Sequence, residues 1–417
     1  MNLQQNTTIG DATLMRGMNT ATVLNLLWER GTISRVDIAK VTKLSRPTVS
    51  SIVADLLREG WITESGRGES RGGKKPILLE FNYDARCIVG VDLRADGFAV
   101  TTHNLRAEVG THLIEEISIR TAPESLAKTI AGAVRQIVVE AEIDWDKVVG
   151  IGVALPSPYD YLSGQVTLNE MMPGWRGLSL KAMLEALLEK RVDADNNANL
   201  AAMAESWWGA GRGIENLVYV MFRNGIGSGL ILGGQIYRGR VGSAGEIGHL
   251  TVDIEGRRCR CGKRGCLETI CDSRAILREI SVALSAGEES SLRHITAVRS
   301  LTMEDIGKAA EAGDPLAQRV LRKAGGHLGL ALANLVNLLN PDLVVIDAPN
   351  TGPIFLESIR ETIQAHALSA ASQVVRVMPA DLGQDAVAMG AATLILQDVL
   401  HGPHLTAGAA ASFSGGR

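Results

Sequence analysis

The sequence predicts an α/β protein in two parts: a small helical head closed by a β-hairpin, and a larger body of two similarly ordered α/β lobes. Three observations carry this reading. Three short helical patterns followed by two apolar strand-like runs fill the first part of the chain. From Cys87 onward the pattern changes to buried strands alternating with long helices. An order of antiparallel strands, helix and buried strand then occurs twice. At about 100–200 residues per domain, 417 residues leave room for two to four domains. The expected boundaries are a head at 1–82, a body at 83–400 and a Gly/Ala/Ser-rich tail at 401–417, expected to be disordered.

The head begins with a helix expected from about Asn19 to Glu29, with Val23, Leu26 and Leu27 on one face and Gly31 as its stop. Ser34 stands as an N-cap, with Asp37 at the capping-box distance, before a short helix from Arg35 to Val41 that turns Ile38 and Val41 inward. After the turn Thr42-Lys43-Leu44, Ser45 caps a third helix. Pro47 falls in its first turn, where a missing N–H costs nothing. Val49, Ile52, Val53, Leu56 and Leu57 give that helix a buried stripe, and Gly60 ends it. Trp61–Thr63 and Ile77–Phe81 read as two strands joined by a glycine-rich basic loop.

This is the plan of a helix-turn-helix with a wing. The third helix would enter a DNA major groove by its N-terminal end, presenting Arg46, Pro47, Thr48, Ser50 and Ser51. Arg46 is the best candidate for a base edge, because its fork pairs with guanine. In the wing, Arg71, Lys74 and Lys75 would reach the phosphates or a minor groove. Charge agrees: the net −4 divides into +3 up to Phe81 and −7 beyond it. The competing reading is a small helical domain that binds protein.

Body strands are expected at Cys87–Leu93, Gly97–Leu105, Gly110–Ile119 and Val148–Leu155, with a helix at Pro123–Glu142. The second lobe repeats the plan with strands at Leu217–Arg223, Ser228–Leu232, Leu343–Asp347 and Val374–Met378. Its later helices fall near Ile354–His366 and Asp385–Leu400. A cleft between two lobes is the default place for a small ligand. Hydrophobic residues at 46% and charged residues at 21% match globular usage and exclude a chain disordered throughout. No apolar run approaches the roughly 18 residues of a membrane span. Met1–Arg16 lacks the apolar centre of a signal peptide, so a cytoplasmic location is expected.

His249, Cys259, Cys261 and Cys266 offer one imidazole and three thiols. In a chain expected to be cytoplasmic, such a cluster reads as metal binding before disulfide. Cys₃His is a standard set for structural zinc, and thiolates favour zinc over magnesium or calcium. One closed, non-catalytic zinc site per chain is expected.

Gly245–Glu268, GEIGHLTVDIEGRRCRCGKRGCLE, resembles the signature of the ROK family of repressors, uncharacterised reading frames and sugar kinases. GVALPSPYD from Gly152, TLNEMMPGW from Thr167, DNNAN from Asp195 and GIGSG from Gly225 fit as well. With a winged head in front, the chain resembles the repressor branch, which includes xylose and N-acetylglucosamine repressors. The resemblance implies an actin-like, sugar-kinase-like body. It also implies a sugar held by Asn169, Asn196, Asn197, Glu246, His249 and Glu268. Carboxylates accept from sugar hydroxyls, and amides both donate and accept. One nitrogen of His249 would face zinc and the other a hydroxyl. Taken singly, Asn196 and Asn197 also suit a turn or a helix cap, and Glu246 and Glu268 a solvated face.

The kinases of the family need a carboxylate where this chain has Asn197, and an amide cannot act as a general base. Their first phosphate loop is replaced by Asp92-Leu-Arg-Ala-Asp-Gly97, with side chains where phosphate should meet backbone. Their late nucleotide-binding glycines are replaced by Asp347-Ala-Pro-Asn350, which leaves Gly225–Gly229 as the surviving glycine-rich turn. The expectation is therefore a sugar-responsive regulator, a repressor without enzymatic activity. It would act as a homodimer or homotetramer on a palindromic operator. The alternatives are a sugar kinase with an accessory DNA-binding head, and a DNA-binding protein controlled by a protein partner.

Overall fold

The computed structural model describes residues 12–68, 75–167 and 172–401. The head consists of α1 (Ala12–Arg30), β1 (Thr32–Ser34), α2 (Arg35–Thr42), α3 (Arg46–Arg58), β2 (Ile62–Arg67) and β3 (Ile77–Phe81). The expected caps are present: Ser34 Oγ accepts from the Asp37 amide at 3.2 Å, and Ser45 Oγ from the Thr48 amide at 3.2 Å. Lys43 turns the chain between α2 and α3 in the left-handed region, with φ 59°. Two expectations are corrected. α1 starts at Ala12, well before Asn19; Leu14, Met15 and Met18 are exposed, so no apolar stripe marks this stretch in the sequence, and Arg16 ties it to Asp55 of α3. Val41 is exposed, and Ile38 alone anchors α2 in the core. β1 was not expected; three residues are too few to display alternation, yet Ile33 pairs with Leu79 of β3.

The first lobe contains β4 (Cys87–Leu93), β5 (Gly97–His103), β6 (Val109–Glu116), α4 (Pro123–Glu140) and β7 (Val148–Leu155). A small hairpin of β8 (Tyr159–Asp160) and β9 (Gln165–Val166), then α5 (Leu180–Leu188) and β10 (Val192–Asn196), complete it. Its sheet runs β10-β7-β4-β5-β6, the first three parallel and the rest antiparallel. β4 is buried along its whole length and β7 almost so, and this is why they read as continuous apolar runs.

α6 (Asn197–Trp208) leads into the second lobe, which opens with β11 (Leu217–Arg223), β12 (Gly225–Leu232) and β13 (Gln235–Ile236). The helices α7 (Glu268–Cys271), α8 (Ser273–Ser285), α9 (Arg293–Thr296), α10 (Met303–Glu311) and α11 (Pro315–Leu339) follow. β14 (Leu343–Asp347), α12 (Gly352–His366), α13 (Ser369–Ser372), β15 (Arg376–Pro379) and α14 (Ala386–His401) end the described chain. The sheet order is β13-β12-β11-β14-β15, again an antiparallel half joined to a parallel half. The glycine-rich stretch from Gly225 is not a turn: it lies in β12, paired with β11 from the Arg223–Gly225 register onward.

α14 returns to the first lobe and lies against β4, β7 and α6. A Cβ on Gly390 would stand 2.0 Å from the Leu200 carbonyl, so the two helix backbones touch there. The head is not a separate body. Val23, Leu27 and Phe81 share one apolar cluster with Ile88 of β4 and with Ile395 and Leu396 of α14. Among the described residues, no helix is long and apolar enough to cross a membrane.

Candidate functional site

The exposed start of α3 carries Arg46, Pro47 and Ser50 toward solvent. The Thr48 hydroxyl lies 2.7 Å from Ser45 Oγ and so serves the cap. Ser51 Oγ accepts from Arg16 Nη2 at 3.1 Å, which adds Arg16 to this face. Sequence reasoning missed Arg16 because its partners lie 35 and 39 residues away. Lys75 is exposed at the base of the wing; Arg71 and Lys74 lie outside the described residues.

At the junction of the lobes, β10 ends and α6 begins. Asn196 caps α6, its Oδ1 accepting from the Ala198 amide at 2.9 Å. That oxygen is committed to the helix. Asn197 is the first residue of α6, half-buried, and its side chain makes no hydrogen bond among the described residues. Asp195, which the sequence did not single out, organises this corner. Fully buried, it accepts from the Asn196 amide at 2.7 Å, from Asn199 Nδ2 at 2.9 Å and from Arg238 Nε at 2.6 Å. Arg238 lies beyond β13, so this ion pair spans the two lobes, and its guanidinium also covers the Tyr161 ring at 4.4 Å. Asn169 lies outside the described residues.

Glu246, His249 and Glu268 converge from one side. His249 Nε2 lies 3.8 Å from Glu246 Oε2, and its Nδ1 lies 4.0 Å from Glu268 Oε1. Burial, aided by the Glu268 charge and opposed by Arg260, pushes the Glu246 carboxyl up to about 7. Glu268 is buried at the start of α7, with Oε2 3.0 Å from Arg260 Nη2 and Oε1 3.0 Å from Cys259 Sγ.

Behind these carboxylates, the donor atoms of His249, Cys259, Cys261 and Cys266 all lie within 4.8 Å of one another. Cys259 Sγ is 3.7 Å from His249 Nδ1, and Cys261 Sγ is 3.7 Å from Cys266 Sγ. The loop is shaped for this: the Cys261 amide points to Cys259 Sγ at 3.4 Å, and Gly262 takes φ 88° to bring the chain back. All five cysteines are free thiols. Four convergent soft donors, with one nitrogen of His249 turned inward and the other toward Glu246, could hold one metal ion.

Two further stretches, Asp92–Gly97 and the end of β14, are tied by their own side chains. Arg94 folds back so that its Nε meets Asp92 Oδ2 at 2.9 Å, and its amide donates to the Gly97 carbonyl at 2.8 Å, making a tight hairpin. Asp347 accepts from Tyr219 Oη and from Arg223 Nη2, each at 2.7 Å.

Residues 88–398 match the ROK family, and residues 22–63 match a winged helix-turn-helix DNA-binding family. The chain is 30% identical over 397 residues to the xylose repressor of Caldicellulosiruptor bescii, covering 95% of this chain and 99% of that protein. It is also 30% identical over 398 residues to the DNA-binding transcriptional dual regulator NagC of Escherichia coli, covering 94% and 96%. Among solved structures, a ROK family transcriptional regulator, a homologue of the E. coli MLC protein, superposes with a TM-score of 0.82 at 28% identity, covering 94% of this chain and 98% of that one. A ROK family glucokinase from Streptomyces griseus, solved with glucose and AMPPNP, gives 0.65 at 26% identity over 75% of this chain and 99% of that one.

Proposed function

The chain belongs to the ROK family, and from that premise we propose that it is a sugar-responsive transcriptional repressor. The head binds operator DNA through α3 and the wing, and the corner between the lobes takes a sugar. The observation that carries the reading is the continuity of α6. The helix starts at Asn197, in the corner proposed to hold the sugar, and ends at Trp207 and Trp208. Those two indoles pack on Trp28 of α1, with ring centroids 5.6 and 6.0 Å away. One rigid element thus joins the ligand corner to the DNA-binding head.

In this reading Asn197, Glu246, His249 and Glu268 hold the sugar hydroxyls, with Asn169 and the amide nitrogen of Asn196 completing the set. Asp195 and Arg238 position the corner and let lobe closure be felt on both sides. The metal is zinc. With zinc–sulfur bonds of about 2.3 Å and zinc–nitrogen bonds of about 2.0 Å, tetrahedral edges come to roughly 3.5–3.8 Å. The two 3.7 Å separations in the cluster agree with this. Zinc would neutralise the thiolates, tie the loop together and fix the tautomer of His249. A dimer would place two heads on a two-fold symmetric operator.

The same site supports binding without phosphoryl transfer. Asn197 offers no base, and Arg94 and Arg223 stand against the carboxylates where a kinase would admit ATP and its metal. The test is sugar-dependent ADP release beside calorimetric sugar binding, over hexoses, pentoses and amino sugars. Saturable binding of one sugar with no turnover is expected, in wild type and in Asn197→Asp alike. Robust turnover by the wild type would replace this reading with a sugar kinase.

A further inference from the structure

We propose that the outer side of the metal loop is a second ligand site, for a small phosphate ester, and that Arg260 couples it to the sugar corner; the coupling rests on the sugar reading, the site itself does not. A cavity of about 440 Å³ lies between the metal loop and α8, and Arg257, Arg258, Arg260, Arg274 and Arg278 line it. Five guanidiniums face two lining carboxylates, Glu268 and Asp272, leaving a surplus of three positive charges in a body that is acidic overall.

Both carboxylates are buried and already engaged. Asp272 Oδ1 caps α8 through the Ala275 amide at 2.8 Å, while its Oδ2 holds Arg274 Nε at 3.0 Å and Nη2 at 2.7 Å. Arg278 Nη2 is fixed on the Thr269 carbonyl at 2.9 Å. These two guanidiniums are therefore held in place before any ligand arrives, which lowers the ordering cost of binding. Arg257 and Arg258 are exposed and have no acidic partner among the described residues.

A phosphate dianion suits this set better than a lone carboxylate. It has three oxygens for the planar forks and two negative charges to set against the surplus of three. The cavity also falls within the usual size of small-molecule sites, with room for an organic group beyond the phosphate.

Arg260 belongs to both sites. Its Nη2 is bonded to Glu268 Oε2, and the guanidinium covers the start of β12, where a Cβ on Gly225 would meet it at 2.6 Å. A phosphate competing for this guanidinium frees Glu268 to accept a sugar hydroxyl. The coupling is therefore positive, and by linkage each ligand tightens the other by the same factor.

The experiment is calorimetry of the full-length, metal-loaded chain with inorganic pyrophosphate as probe, ionic strength held constant with chloride. The wild type is compared with the Arg257→Ala, Arg258→Ala double variant, whose two side chains are exposed and unpaired. Metal content of each protein reports that the loop is intact. The expected result is saturable binding, one pyrophosphate per chain, weakened about tenfold or more in the double variant. At a pyrophosphate concentration that just saturates the wild type, its sugar affinity should rise about three- to tenfold and that of the variant by less, the two rises converging at higher pyrophosphate because Arg260 is intact in both. No saturable binding, equal binding by both proteins, or binding of an acidic peptide but not of pyrophosphate would overturn the site. Pyrophosphate binding without any effect on sugar affinity would overturn the Arg260 link. Pyrophosphate binding by a chain that takes no sugar would uphold the site and refute the sugar reading instead.

Discussion

His103 sits in the core of the first lobe with both ring nitrogens engaged, Nε2 at 2.7 Å from Thr101 Oγ1 and Nδ1 donating to the Ala107 carbonyl at 3.1 Å. Burial lowers the imidazole to about 4, against a weaker upward pull from the Ala107 carbonyl. An unfolded chain takes up this proton near pH 6.5, and the folded chain refuses it until about 4. Stability is therefore complete above pH 6.5 and lost as pH falls toward 4, by up to about 1.4 kcal/mol per unit. Between pH 6.5 and 5, His103→Gln should lose about 2 kcal/mol less than the wild type in urea unfolding; equal losses would refute the assignment. On the DNA face, Arg46→Ala should weaken operator binding by about 1–3 kcal/mol and leave scrambled DNA little changed. Lys75→Ala should weaken both and flatten the salt dependence. Salt-titrated binding distinguishes the two, and unchanged operator affinity for the Arg46 variant would remove its base contact. The exposed start of α3 and the metal donors were legible because each stands within a short local pattern. Asp195 with Arg238 was not, because the partners are 43 residues apart and meet only when the lobes come together.

At the scale of elements, the metal loop is the clearest case of local sequence setting local structure. Cys259, Cys261 and Cys266 are brought round by Gly262, and the loop leads directly into α7 and Glu268. Cys261→Ser should therefore lose the metal and, through His249 and Glu268, reduce sugar affinity about 10–100-fold. Metal analysis with calorimetry checks both, and retained metal or unchanged sugar affinity would contradict the design. Strands buried on both faces, such as β4, β7, β11 and β14, were legible as unbroken apolar runs. The start of β12 was not, since its glycines imitate a turn while their backbone pairs with β11. Close helix approach is equally silent in sequence. Gly390→Ala drives a methyl group into the Leu200 carbonyl and should cost about 3 kcal/mol in thermal or urea unfolding. A loss under about 0.5 kcal/mol would mean that α14 and α6 do not touch there.

The whole molecule places a DNA-binding head on a two-lobed body through shared apolar packing, and α6 runs from the Asn196–Asn197 corner, the proposed sugar site, to that seam. The three indoles at the seam lie within 6.0 Å of one another, and Trp208 Nε1 is anchored on Thr393 of α14 at 2.8 Å. If lobe closure moves α6, the head must follow. Trp28→Ala should therefore leave sugar affinity intact while reducing the effect of sugar on DNA binding about tenfold, a coupling loss of roughly 1–2 kcal/mol. A variant that still responds fully would place the coupling elsewhere. Two lobes and a winged head were visible in the sequence as repeated order and capped turns; the seam was not, because Trp28 and Trp207 look like ordinary core residues until the chain is folded. In the proposed function, sugar binding in the body controls DNA binding by the head. Its most direct test is the affinity of the full chain for an operator recovered from genomic DNA, measured at fixed salt with and without each sugar that binds. One sugar should change operator affinity by about tenfold or more, without turnover. A sugar that binds one per chain and leaves operator affinity the same would contradict it.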